Sequence, residues 1–89
     1  MPVFTFPVGR LLVTPTIMEL FAYEKIVDLL IRYGSRDWGD LCDEEKSLND
    51  QAIENGNRIL ARYQIDDEKI YIITESDRSC TTVLMSYEY

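Results

Sequence analysis

An α+β fold is predicted for this chain: an antiparallel sheet of three to four strands, built from a C-terminal β-meander and an N-terminal edge strand, with two to three helices packed on one face. Three observations carry that prediction. The 89 residues leave room for one hydrophobic core, so 1–89 is read as a single domain. Apolar residues in the first half recur at three- and four-residue spacing, which is the helical period. In the last third, β-branched and aromatic runs alternate with short polar stretches, as in hairpins.

From the N-terminus, Val3 to Thr14 is rich in β-formers, but Pro7 and Gly9 interrupt it, so only Arg10 to Val13 reads as a strand, at a sheet edge. Thr16 and Glu19 have the spacing of a capping box and predict a helix start, with Pro15 just outside it. Ile26, Val27, Leu29, Leu30 and Tyr33 then mark a helix that Gly34 is expected to end as a left-handed cap. The pattern allows one long helix or two with a break near Ala22. Ser35 to Cys42 reads as a loop around Gly39. Asp43 is the expected N-cap of the next helix, Glu44 and Glu45 its acidic first turn, and Leu48, Ala52 and Ile53 its apolar stripe before Gly56. Arg58 to Ile65, Lys69 to Glu75 and Thr81 to Tyr87 are the predicted meander strands.

Composition narrows the function classes. Sixteen acidic against nine basic residues give a formal charge of −7, and the cations are scattered singly, so direct nucleic-acid binding and an anionic membrane surface are not expected. A basic protein surface suits the chain better. No apolar run approaches the ~20 residues of a membrane-spanning helix, and no secretion signal precedes the fold, so a cytoplasmic protein with Cys42 and Cys80 as reduced thiols is expected. The chain has no His, which removes the usual general base, the commonest metal ligand and every Ser-His or Cys-His pair. Its four Gly residues are scattered and form no phosphate-cradling loop. No cofactor, no metal and no catalytic residue is expected.

Two polar groups remain as candidate binding residues. The first surrounds the only Trp: Asp37, Trp38, Asp40, Asp43, Glu44 and Glu45. A loop Trp among carboxylates suits an interface anchor for a basic partner. It equally suits a core plug, with the acids capping the following helix, and a small core favours that use. The second is Glu75, Asp77 and Arg78 in the last hairpin turn, either a small site or a solvated turn with a weak ion pair.

Gly39-Asp40-Leu41-Cys42, Glu45-Lys46, Leu48-Asn49-Asp50, Ile72-Ile73-Thr74-Glu75, Asp77-Arg78-Ser79 and Thr81-Thr82-Val83-Leu84 together resemble a family of small bacterial proteins usually labelled plasmid-related protein. The resemblance runs from about Gly9 to Glu88 and implies a shared fold in a bacterial or mobile-element setting, with no catalytic assignment to carry over. Some relatives bear the label of a type I restriction-modification methyltransferase subunit. That label does not suit this chain, which lacks the cofactor-binding Gly loop, an N-P-P-like segment and the length to hold both.

Three functions are therefore set against one another. The leading expectation is a non-enzymatic interaction protein that turns an acidic face to a basic partner, in its sharpest form by mimicking DNA phosphates with Asp37, Asp40, Asp43, Glu44 and Glu45. The alternative is a small enzyme or ligand-binding domain whose site joins the Trp38 loop to Glu75, Asp77 and Arg78. A further alternative is a structural subunit, with exposed apolar strand positions covered in a homodimer.

Overall fold

The computed structural model describes residues 2–89. Strand β1 (Arg10–Val13) leads into helices α1 (Pro15–Leu20), α2 (Tyr23–Gly34) and α3 (Asp43–Asn55). The meander of β2 (Ile59–Ile65), β3 (Glu68–Thr74) and β4 (Cys80–Met85) follows, closed by a 3-10 turn at Ser86–Glu88. This is the α+β fold expected. The sheet order is β1-β4-β3-β2, and the meander is antiparallel. Only β1 departs from the prediction: Arg10 to Val13 lie parallel to Cys80 to Val83, so the sheet is mixed. Short polar turns enforce antiparallel neighbours, whereas β1 and β4 are joined by a long crossover that permits the parallel arrangement.

Four local expectations are corrected, and one left open, the break near Ala22, is decided. The first helix starts earlier than expected, with its cap at Thr14 in place of Thr16: Thr14 accepts from the Ile17 amide at 3.4 Å, and Pro15 occupies the first helical position, where its missing N–H costs nothing. The helical stretch is broken, because Phe21 and Ala22 are both extended, although neither Gly nor Pro marks the place. Gly34 is not a left-handed cap. The positive φ falls at Arg36 (65°), and Gly34 is instead demanded by the N-terminal segment, since a Cβ there would stand 2.4 Å from the Val3 carbonyl oxygen. Cys42, not Asp43, caps α3, with the Glu45 carboxylate accepting from the Cys42 amide at 3.4 Å and from its Sγ–H at 3.1 Å. The last strand stops at Met85 because the Glu88 carboxylate folds back to take the Met85 N–H at 2.9 Å.

Register places Ile59, Ala61 and Tyr63, Ile70, Ile72 and Thr74, Thr81, Val83 and Met85, and Leu11 and Val13 on one face of the sheet. Ile17 of α1, Ile26, Leu29, Leu30 and Tyr33 of α2 and Ala52 of α3 pack on that face, with Phe6, Val8 and Trp38 filling in from loops. Such burial is the main drive to fold. Within it runs a chain of hydroxyls. Thr81 donates to the Val8 carbonyl at 2.7 Å, which leaves its oxygen to accept from Thr74 at 2.7 Å, and Thr74 in turn accepts from the Tyr33 hydroxyl at 2.6 Å. Each of these three hydroxyls has a partner, as burial requires. The opposite face carries Arg62, Tyr71, Ile73, Leu84 and Leu12, and the terminal Tyr89 ring lies across it, 5.7 Å from Tyr71, with Arg58 stacked on it at 5.0 Å.

The two sheet edges are treated differently. Along β2, the Leu60 amide and carbonyl are both taken by the Asn49 carboxamide, at 3.3 and 2.9 Å, as another strand would take them. One step on, Arg62 donates its amide to the Trp38 carbonyl at 3.3 Å and accepts from the Asp40 amide, forming a bridge through Gly39. Edge β2 is thereby covered.

Gly39 has φ 77°, and a Cβ there would collide with the Arg62 carbonyl at 2.1 Å; Gly56 has φ 75° with open space around it. Gly39→Ala should therefore lower the unfolding free energy by ~3 kcal/mol or more, and Gly56→Ala by only ~1 kcal/mol, in urea titrations. Asn49→Ala leaves two edge groups of Leu60 without a partner and should cost about 2 kcal/mol in the same measurement.

Candidate functional site

Between α2 and α3 the chain must cross from the core to the surface, and each side chain in that crossing has an assigned place. Arg32 and Asp37 form an ion pair at 2.8 Å, and the Asp37 carboxylate also accepts from the Gly39 amide at 3.1 Å. The Arg32 hydrogen bond above all holds the Asp37 carboxyl below its ordinary value; burial opposes it, and the Gly39 amide and the Arg32 and Lys46 charges add to the lowering. Because both partners are about half exposed, this pair contributes ~0–1 kcal/mol. Trp38 points inward and is only 2% exposed. Its ring meets Tyr33 edge-on at 5.4 Å and Phe6 at 5.7 Å, and its indole N–H donates to the Asp50 carboxylate at 2.9 Å. Of the two readings of this Trp, the core plug describes its geometry, and it has no face to offer a partner.

Asp40, Asp43, Glu44 and Glu45 are exposed around the start of α3. Glu45 is partly committed: hydrogen bonds from the Cys42 side chain, then from its amide, hold its carboxyl below the ordinary value. The Asp40 carbonyl accepts twice from the Arg62 guanidinium, at 2.7 and 3.1 Å, which fixes the backbone and leaves the Asp40 carboxylate outside. Among the described residues, Arg32–Asp37 is the one ion pair, so Asp40, Asp43, Glu44 and Glu45 belong to none.

The hairpin turn has a structural task. Arg78, at φ 60°, sends its guanidinium to the Ala52 and Asn57 carbonyls, each at 2.7 Å, and to the Glu75 carbonyl at 3.2 Å. It thus satisfies the end of α3, where carbonyls lack intrahelical partners and cations are favoured. Asp77 accepts from the Ser79 amide at 2.9 Å, and hydrogen bonds from Ser79 hold its carboxyl below the ordinary value.

The Trp38 loop and this turn do not converge. Gly39 bridges Arg62 on the outer side of β2, whereas Glu75 follows Thr74, which pairs with Ile59 from the inner side. Three residues along β2 are ~10 Å and two strand spacings are another ~9 Å. Every carboxyl moved from its ordinary value, at Asp37, Glu45, Asp77 and Glu88, is moved down, away from the neutral range in which a general acid works.

A concave feature does adjoin the acidic rim. Leu41, Glu45, Leu48, Asn49, Arg58 and Leu60 line an open cleft of ≈ 300 Å³. Leu48, expected in the inward stripe of α3, is 57% exposed, and Asn49 takes the inward position with Ala52. None of Leu41, Leu48, Leu60 and Arg58 was among the residues expected at a site. The signal was Asn49 at helical spacing with Ala52 and Ile53: a polar residue within the inward stripe implies an edge to be satisfied, and rotates Leu48 outward.

No helix among the described residues is long and apolar enough to cross a membrane.

Burial raises the hydroxyl pKa of both Tyr33 and Tyr63 well above the ordinary tyrosine value. A raised folded pKa means the folded state holds these protons while the unfolded chain loses them near pH ~10, so their stabilisation is complete below that pH and is lost as pH rises above it. Stability measured by urea unfolding should fall steeply above pH ~10, and Tyr33→Phe should flatten that fall while costing ~1–2 kcal/mol at neutral pH. Compared with known family models, with characterised proteins and with solved structures, the chain matches none.

Proposed function

We propose that this protein is a non-enzymatic binding module that docks a basic protein segment, inserting an apolar side chain of that partner into the leucine cleft beside the acidic start of α3. The observation that carries this reading is the cleft itself: exposed Leu48 and half-buried Leu41 and Leu60 line it, next to a helix turn bearing Asp43, Glu44 and Glu45. An apolar anchor supplies affinity, and a rim of one charge supplies steering and choice of partner. A concave site is also where exposed leucines have a use, since a folded surface otherwise gains nothing by leaving them in water.

The roles divide among named residues. Asp40, Asp43 and Glu44 are free to face cations. Asp37 and Glu45 serve mainly the loop and the helix cap through their internal partners. Arg58, at the cleft wall, sets a cation beside the leucines and orients a partner with a carboxylate or carbonyl at one end. The resemblance to plasmid-related proteins and the two free thiols support a bacterial cytoplasmic setting, and a nuclease of a restriction system is the basic partner that a phosphate-like rim suits.

Affinity capture from a bacterial lysate tests the reading, using wild type, Asp40→Asn/Asp43→Asn/Glu44→Gln, and Leu48→Ser at low and high salt. The expected result is one basic protein retained at ~50 mM salt, lost at ~500 mM, and weakened at least tenfold by each variant. Competition of the same protein by duplex DNA supports the nuclease form. Retention that is indifferent to both variants removes this surface from consideration.

A further inference from the structure

The second sheet edge is open where the first is covered. Strand β1 ends the sheet, and its Arg10 and Thr14 amides turn inward to the Ser79 and Val83 carbonyls of the β4 side, at 3.1 Å each. Backbone groups alternate along a strand, so the amides and carbonyls of Leu11 and Val13 face outward, and among the described residues no hydrogen bond covers them. The side chains do not protect the edge either: Leu11 is 43% and Leu12 39% exposed. Natural edges are usually blunted by charge, proline or a bulge. Beside this one lies an apolar groove of ≈ 220 Å³ whose walls include Leu11, Val13, Met18, Tyr23, Ile26 and Leu30.

We propose that the β1 edge is occupied by the β1 edge of a second copy, in antiparallel register about a twofold axis at Leu12. The register follows from which groups face outward. Leu11 must oppose the partner's Val13, and Val13 the partner's Leu11, each pair exchanging two backbone hydrogen bonds. Leu12 then opposes its own counterpart on the face away from the helices. On the helix face, each Leu11–Val13 pair sits against the groove, so both copies extend their apolar surface in one layer.

Charge decides for a second copy over an unrelated strand. The same register sets Arg10 opposite the partner's Thr14, and the Thr14 hydroxyl donates to the Glu88 carboxylate at 2.9 Å. Opposed residues in a sheet share a face. Each Arg10, which has no side-chain partner among the described hydrogen bonds and ion pairs, is therefore delivered to the partner's Glu88, twice by symmetry. A strand with a cation at its start and a carboxylate fixed at its end is self-complementary when paired antiparallel. This is also the isologous geometry that closes on itself and leaves no further edge of this kind.

Sedimentation of the full chain across ~500 µM to ~1 µM tests the assembly. The expected result is a reversible dimer that Leu12→Lys and Arg10→Glu each weaken at least tenfold. Both single changes are at exposed positions, and unchanged melting of the dilute protein verifies their folds. Amide exchange gives a second readout: Leu11 and Val13 should be protected at high concentration and exchange quickly at low. A monomer at every concentration overturns the proposal. So does a dimer that ignores both substitutions or leaves the Leu11 and Val13 amides unprotected.

Discussion

The burial of Trp38 is the interaction on which the arrangement of the surface depends. Removing an aromatic of this size from water contributes roughly 4–6 kcal/mol at most, more than any polar contact in the loop. The indole N–H would forfeit part of that gain if left bare, but Asp50 accepts it from within α3. With the ring fixed between Tyr33, Phe6 and α3, the flanking backbone has little freedom. The Trp38 carbonyl and the Asp40 amide fall on Arg62, Gly39 is pressed against the strand where no side chain fits, and the carboxylates on either side are left outward. The loop acids are surface residues because their Trp is a core residue.

A second constraint ties the N-terminal segment to the same core. The hydroxyl chain from Tyr33 through Thr74 and Thr81 ends on the Val8 carbonyl, so a residue outside any helix or strand is held by two adjacent strands and a helix. Thr5 adds hydrogen bonds to the Gly34 carbonyl, and Arg36 reaches back to Thr5. Residues before β1 therefore complete the cover of the helix-side core and bring Phe6 against Trp38. Polar side chains inside a core this small are tolerated because each donor has an acceptor already in place.

The sheet edges express an economy of means. On β2, one carboxamide and one loop bridge satisfy the outward groups that an added strand would otherwise claim, and that same loop brings the acidic rim beside the leucine cleft. On β1, the chain runs straight from the N-terminal segment into α1, and among the described residues no hydrogen bond covers the outward amides and carbonyls of Leu11 and Val13. The proposed assembly through β1 and the proposed docking at the cleft use opposite ends of the sheet, so one does not obstruct the other, and a twofold dimer would present two acidic rims at once.

Much of the fold was legible in the residues themselves. Period and turn chemistry sufficed for β1 over Arg10–Val13, for α2, for the end of α3 at Gly56 and for the three meander strands, because those signals act over a few neighbouring residues. The absence of His and the scatter of the cations are likewise read from the residues alone. The tertiary structure decided what depends on distant neighbours. It set β1 parallel to β4 through a long crossover, broke the helix at Phe21 and Ala22, and took Gly34 for a close approach of the N-terminal segment rather than a cap. It turned Trp38 inward and Leu48 outward, gave Arg78 to the end of α3, and kept the two polar loops on opposite sides of β2. A sequence pattern records which residues prefer water and which local shapes they favour; which apolar residue reaches the core, and which edge remains open, is settled only when all the elements compete for the same limited interior.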